Sequence, residues 1–357
     1  MVLMRPHITV LVVLLSSSVV AQQASQRTHD NDYPEQECRK YEQIRLPAQD
    51  LPTAADRVGL AKCDSEHLYF GFDRKPDPVR ARKCAYLDRE KGSDDRRDCV
   101  FCGSGLLTMI YANGKGAARN LNLAVKFSCE IDGAPAENYG RLDHLKRLEQ
   151  EKWSGDNFSL CDDATSGFMQ GWCANLDDEF DKVRRRRDAS NLESKWTPAQ
   201  KKAFADLQRV AYDFFNATSR WEEDTTGTGR AAFEIESESE QQHAFLQSIA
   251  SFEKGKLPRF SSADFKLADG ELNSVYQQVQ NVRLPSFMST DQGFVTPEGI
   301  KKVERKWLLY REAWVTFGAA KYPAVSSDAW RTWATQQRTK QLRDLLSDLK
   351  DVELKSK

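Results

Sequence analysis

KKVERKWLLYREAWVTFGAAK, residues 301–321, carries Val303, Trp307, Tyr310, Trp314 and Phe317 at spacings of four, three, four and three. That rhythm follows the α-helical repeat and puts all five side chains on one side of a helix, so the stripe reads first as a buried packing face. Upstream, Phe204, Leu207, Ala211, Phe214, Thr218 and Trp221 keep the same rhythm. LQRVAYDFF (207–215) aligns with LYREAWVTF (309–317) at Leu, Ala and Phe, which predicts a weak internal duplication of a helical unit. A second amphipathic helix is expected after each, near Phe233–Phe252 and Asp328–Leu349, the latter with Trp330, Trp333, Leu342, Leu345 and Leu349 on its packing side. Sustained period-two alternation is missing, so the expected fold class is all-α.

Charge excludes one broad class of partner. The 357 residues hold 52 Lys and Arg against 53 Asp and Glu, a net charge of −1. Such a chain is not a polycation, and no nucleic-acid partner is expected. The run Arg184–Arg187 is flanked by aspartates and glutamates and reads as a solvated helix face.

The start of the chain reads as an export signal over residues 1–21. Arg5 and His7 precede the apolar run ITVLVVLLSSSVV, and Val19-Val20-Ala21 offers a cleavage site before Gln22. The run is too short to cross a hydrocarbon core of about 30 Å, so no membrane span is expected and the mature protein is placed in the periplasm or outside the cell. In such a compartment the eight cysteines, confined to Cys38–Cys173, imply disulfides.

Residues 22–54 read as a flexible lead-in. Over 55–150 two segments repeat each other, HLYFGFDRKPDPVRARKCAYLDRE (67–90) and TMIYANGKGAARNLNLAVKFSCE (108–130). Gly71 corresponds to Gly114, Asp77 to Asn120 and Ala81 to Ala124, each 43 positions apart. Glycine permits the left-handed turn that ends a helix, and a small alanine lets the next helix approach closely. The pattern resembles the SEL-type helical repeats, relatives of the tetratricopeptide family, which implies stacked hairpins and a scaffold role. Eight cysteines allow 105 pairings. With Cys63 and Cys84 on one hairpin and Cys102 and Cys129 on the other, those two pairs are expected, with Cys161–Cys173 closing a local loop and Cys38 left for Cys99.

Residues 151–195 are expected to form a joint, and 196–350 a helical bundle domain. In that part DGELNSVYQQV (269–279), followed by a helix bearing WLLYREAW (307–314), resembles the LprI-type lysozyme inhibitor domain. The positions that carry the likeness are Asp269, Leu272, Asn273, Tyr276, Trp307, Tyr310 and Arg311. The cysteines common in that family are missing here, since none lies beyond Cys173. The resemblance implies an exported protein that binds a lysozyme-type glycosidase. Arg311 can present a forked donor pair to a carboxylate, with Tyr310, Asn273 and Tyr276 beside it. Lysozymes of the animal type are basic and work with two cleft carboxylates. An acidic field would therefore steer association, and WEEDTTGTGRAAFEIESESE (221–240) supplies one, starting with Glu222, Glu223 and Asp224. The alternative is a periplasmic helical-repeat scaffold that binds another envelope protein without inhibiting lysozyme.

Catalysis finds no foothold in the motifs. G-x-S-x-G, H-E-x-x-H, the P-loop and the Rossmann glycine pattern are all missing. No enzyme activity, metal or cofactor is expected.

Overall fold

The computed structural model describes residues 34–91, 99–289 and 293–355. The expected signal peptide and the lead-in up to residue 33 lie outside the described residues. Among those described the fold is all-α, with helices joined by turns and short 3-10 segments and no strand. The chain divides into two compact units. The first holds the residues up to Gly71 with Pro76–Asp163; the second holds Phe72–Lys75 with Ala164–Lys357.

In the first unit the helices are short: α1 (Ala54–Gly59), α2 (Ser65–Phe70), α3 (Pro78–Glu90), α4 (Gly103–Asn113), α5 (Leu121–Ser128) and α6 (Pro135–Gln150). From α2 to α6 each packs on the next, so contacts run along the array as in a stack of hairpins. The 43-residue repeat is visible atom by atom. Gly71 (φ 67°) and Gly114 (φ 68°) end α2 and α4 in the left-handed conformation. Asp77 and Asn120 then cap α3 and α5, their side chains accepting from the backbone amides of Arg80 and Leu123. Their own amides return to the carbonyls of Leu68 and Tyr111 at 2.7 and 3.0 Å. Ala81 and Ala124 are fully buried where the hairpin arms meet.

The lead-in from residue 34 onward is anchored rather than flexible. Asp50 is buried, pairs with Arg82 at 3.0 Å, and accepts a hydrogen bond from the Tyr111 hydroxyl at 2.9 Å. Lys126 donates to the Glu42 carbonyl at 2.6 Å, which draws the lead-in across the end of α5. Cys38 is thereby set against Cys129 and bonded to it. Cys63–Cys84 forms as expected, and Cys161 and Cys173 are also disulfide-bonded. The expectations of Cys38–Cys99 and Cys102–Cys129 are corrected, because Cys99 and Cys102 are free thiols. Cys102 sits at the N-terminal end of α4 and donates to the carbonyl of Cys99 at 3.1 Å within its own loop, while Cys129 is taken by Cys38.

The segment expected as a joint, 151–195, is divided between the two units. Its first part folds into the first unit, where Phe158 is buried and exchanges two hydrogen bonds with the Asn113 side chain. Arg119 holds the same loop by donating to the carbonyls of Trp153 and Gly155. Its second part is a continuous 27-residue helix, α7 (Gly167–Glu193). Within the expected solvated arginine face Arg185 is buried, donating to Asp178 at 2.7 Å and Ser239 at 2.8 Å.

The second unit continues with α8 (Pro198–Trp221), α9 (Arg230–Glu253), α10 (Ser262–Gln280), α11 (Pro297–Lys321) and α12 (Ser327–Lys355). Capping boxes at Thr197/Gln200 and Ser261/Asp264 start α8 and α10, and proline occupies the first turn of α8 and α11. The main pairings are α7 with α9, α8 with α11, and α10 with α12. Their shared core is aromatic: Trp307, Trp314, Phe317, Phe204 and Trp330 are all buried. A Cβ on Gly318 would meet the Trp330 indole at 2.2 Å, so only glycine lets α12 approach α11 there. The alignment of 207–215 with 309–317 does not match burial, for Leu207 is buried while Leu309 is 61% exposed. The buried stripes of α8 and α11 correspond instead at Leu207 and Val303, Ala211 and Trp307, and Phe214 and Tyr310.

Candidate functional site

The residues of the two C-terminal motifs meet on the flank of the second unit. In α10, Ala268, Leu272, Val275 and Val279 are buried, so Asp269, Asn273 and Tyr276, one position further on, lie along the edge of the buried stripe. In α11, Arg311 lies one position past Tyr310, beside the buried stripe of Val303, Trp307, Trp314 and Phe317. Arg311 reaches Asp269 at 3.3 Å and Glu312 at 3.1 Å, joining the motif on α10 to that on α11. Its guanidinium lies over the rings of Trp307 and Phe265, at 5.1 and 5.6 Å from their centroids. Asn273 donates to Asp269 at 3.2 Å and is exposed. Only 14% of the Arg311 side chain is exposed, so its forked donors are engaged within the protein.

The other motif residues point inward. Tyr310 stacks on Phe214 with centroids 5.0 Å apart, and burial pushes its phenol above the usual range. Tyr276 is half-buried, and burial raises its phenol too, with Glu304 and Glu298 adding to the effect. The stripe residues Trp307 and Trp314 are core, as their spacing implies.

The acidic segment divides in two. Glu222 is 7% exposed and forms ion pairs with Arg338, whose side chain is wholly buried. Arg338 also pairs with Glu304 at 2.5 Å, so one guanidinium from α12 serves carboxylates at the end of α8 and on α11. Burial pushes the Glu304 carboxyl up even against the opposing pull of Arg338. Sequence reasoning missed this triad. The signal was present, because Trp330, Ala334, Arg338 and Leu342 stand four apart and place a charge within an apolar stripe. Glu223 is half-buried, and burial raises its carboxyl, helped by Glu240, Glu222 and Asp224. Asp224 is exposed but turns its carboxylate back to Thr226, accepting from the amide and the hydroxyl at 3.0 and 2.6 Å. Glu236 and Glu240, on α9, are exposed. The free acidic surface is therefore the first half of α9, while Glu222 is a core residue.

The comparisons with known proteins agree with this part of the chain. A family model described as "Lysozyme inhibitor LprI" matches residues 253–342, which take in α10, α11 and the first half of α12. No curated protein and no solved structure matches the chain. Among the described residues no helix is long and apolar enough to cross a membrane.

Proposed function

We propose that this chain is an exported, lysozyme-inhibitor-like binding protein of the bacterial envelope, with residues 1–21 removed as a signal peptide after Ala21. The observation that carries the reading is the family match over 253–342, within which Asp269 and Arg311 from separate helices form one ion-paired edge. Disulfides in the first unit suit an oxidising compartment. The partner is a lysozyme-type glycosidase, and the role is binding rather than catalysis.

In this reading the exposed acids at the start of α9 attract a basic enzyme from a distance. Exposed Asn273, beside Asp269, supplies short-range polar contact. Arg311 acts from beneath by fixing Asp269, and Tyr310, Tyr276 and Glu222 hold the bundle that presents the surface. The test is a turbidity assay in which the purified mature protein is titrated into animal-type lysozyme acting on cell walls. Slowed clearing that saturates with added protein supports the proposal, and unchanged clearing refutes it.

A second reading is favoured by the first unit. The matching glycine turns, caps and buried alanines of its two hairpins support a SEL-type repeat scaffold. On that reading the stack binds another envelope protein, and lysozyme is left uninhibited.

A further inference from the structure

Helix α9 packs against α7 and against α8, and a gap of about 730 Å³ remains between those two helices. That volume falls within the range of about 300–1,000 Å³ that holds small ligands. The gap is apolar at depth, where Ala211, Phe215, Phe245 and Leu246 line it. Its rim is cationic. Lys182, Arg185, Arg186, Lys201 and Arg209 line the space, against a single carboxylate, Glu193, among the described residues.

Two of these cations are already engaged. Lys182 pairs with Asp178 and Glu179, and Arg185 pairs with Asp178. The other three are not held by salt bridges. Arg186, Lys201 and Arg209 are exposed, and none forms an ion pair among the described residues. Gln208, Tyr212 and Ser190 add neutral hydrogen-bonding groups to the same lining. An apolar floor beneath an excess of positive charge suits an amphiphile better than a fully polar anion, and better than a neutral apolar molecule.

We infer that the gap between α7 and α8 is a binding site for a single-chain amphiphile with an anionic head group. The chain would lie against Phe215, Phe245 and Leu246, and the head group would meet Arg186, Lys201 and Arg209. The site lies outside residues 253–342 and does not depend on lysozyme binding. A positive rim is also the wrong complement for a basic enzyme.

The test is titration calorimetry of the full mature chain with dodecanoate and with dodecyl phosphate, each below its micelle concentration. Dodecyl maltoside serves as the uncharged match and acetate as the head group alone. Both anionic amphiphiles should bind at micromolar concentration, the maltoside at least tenfold more weakly, and acetate not measurably. The preference between carboxylate and phosphate then tells a fatty acid from a phospholipid fragment. Arg186→Glu with Arg209→Glu should weaken dodecanoate at least tenfold and leave the maltoside unchanged, since neither arginine forms a salt bridge among the described residues. Leu246→Trp, which fills the floor, should weaken all the amphiphiles. Absent binding, equal affinity for anionic and neutral heads, or indifference to the charge reversal would each overturn the inference.

Discussion

The two units solve the same problem, keeping helices together, by different means. The first uses helices of six to sixteen residues, tied by disulfides and by polar clamps such as Asp50 with Arg82 and Tyr111. The second uses helices of up to 29 residues around an aromatic core, with no cysteine beyond Cys173. Short helices meet over few turns each, so covalent links and buried hydrogen bonds add to what packing supplies. Long helices can meet along several turns, and there Trp307, Trp314 and Trp330 do the same work by packing.

The comparison breaks most easily at the buried cation of the second unit. Arg338→Met leaves Glu222 and Glu304 without their counter-charge and should cost about 3–5 kcal/mol, the usual scale for breaking a buried pair. Replacing all three residues with apolar ones should recover most of that loss. Trp307→Ala should cost a similar ~3–5 kcal/mol by emptying a buried tryptophan site. Denaturant titration measures both, and a loss below ~1 kcal/mol at either position would remove that residue from the core account.

Next comes the covalent contrast. Cys63→Ala with Cys84→Ala should destabilise the first unit by about 2–5 kcal/mol. Hydrogen exchange read region by region should show faster opening in α2–α5 and unchanged protection in α10–α12. Equal loss in both places would mean that the units do not hold themselves independently.

The smallest effect is in the response to acid. Hydrogen bonds from Arg331 hold the Glu312 carboxyl below its ordinary value of 4.5. At Glu253 burial pushes upward, but hydrogen bonds from Tyr322, Lys321 and Trp196 outweigh it and hold the carboxyl low. A carboxyl lowered in the folded state contributes stability above its ordinary value and loses it as pH falls through the folded value. These two carboxyls should therefore lose their stabilising contribution below about pH 4.5, and Glu312→Gln should remove its share, less than about 1 kcal/mol, as for a partly exposed pair. Urea midpoints at pH 5 and pH 3.5 read it out.

What could be read in advance was whatever is written as periodicity or as a local turn. The stripe of 301–321 placed Trp307 and Trp314 in the core, and the 43-residue spacing located matched caps and alanines. Long-range polar pairing was not legible. Nothing local tells Glu222 from Glu223, yet one is the partner of Arg338 and the other faces Ser237. The pairings expected for Cys38 and Cys102 failed for the same reason, since Cys38 meets Cys129 only because the lead-in crosses the end of α5, whereas Cys63–Cys84, close in sequence, formed as expected. The Asp269–Arg311 pair was half legible. Both residues belonged to the motifs, but their mutual contact needed the packing of α10 and α11.

The proposed function is tested most directly by binding kinetics of the intact chain on immobilised animal-type lysozyme at low and physiological salt. Binding at micromolar concentration or tighter is predicted, with association slowing as salt rises, because charge attraction is screened beyond about 8 Å at physiological ionic strength. Glu236→Lys with Glu240→Lys, both exposed on α9, should slow association more than they speed dissociation. Absence of binding at micromolar concentration in low salt would contradict the inhibitor reading and leave the helical-repeat scaffold.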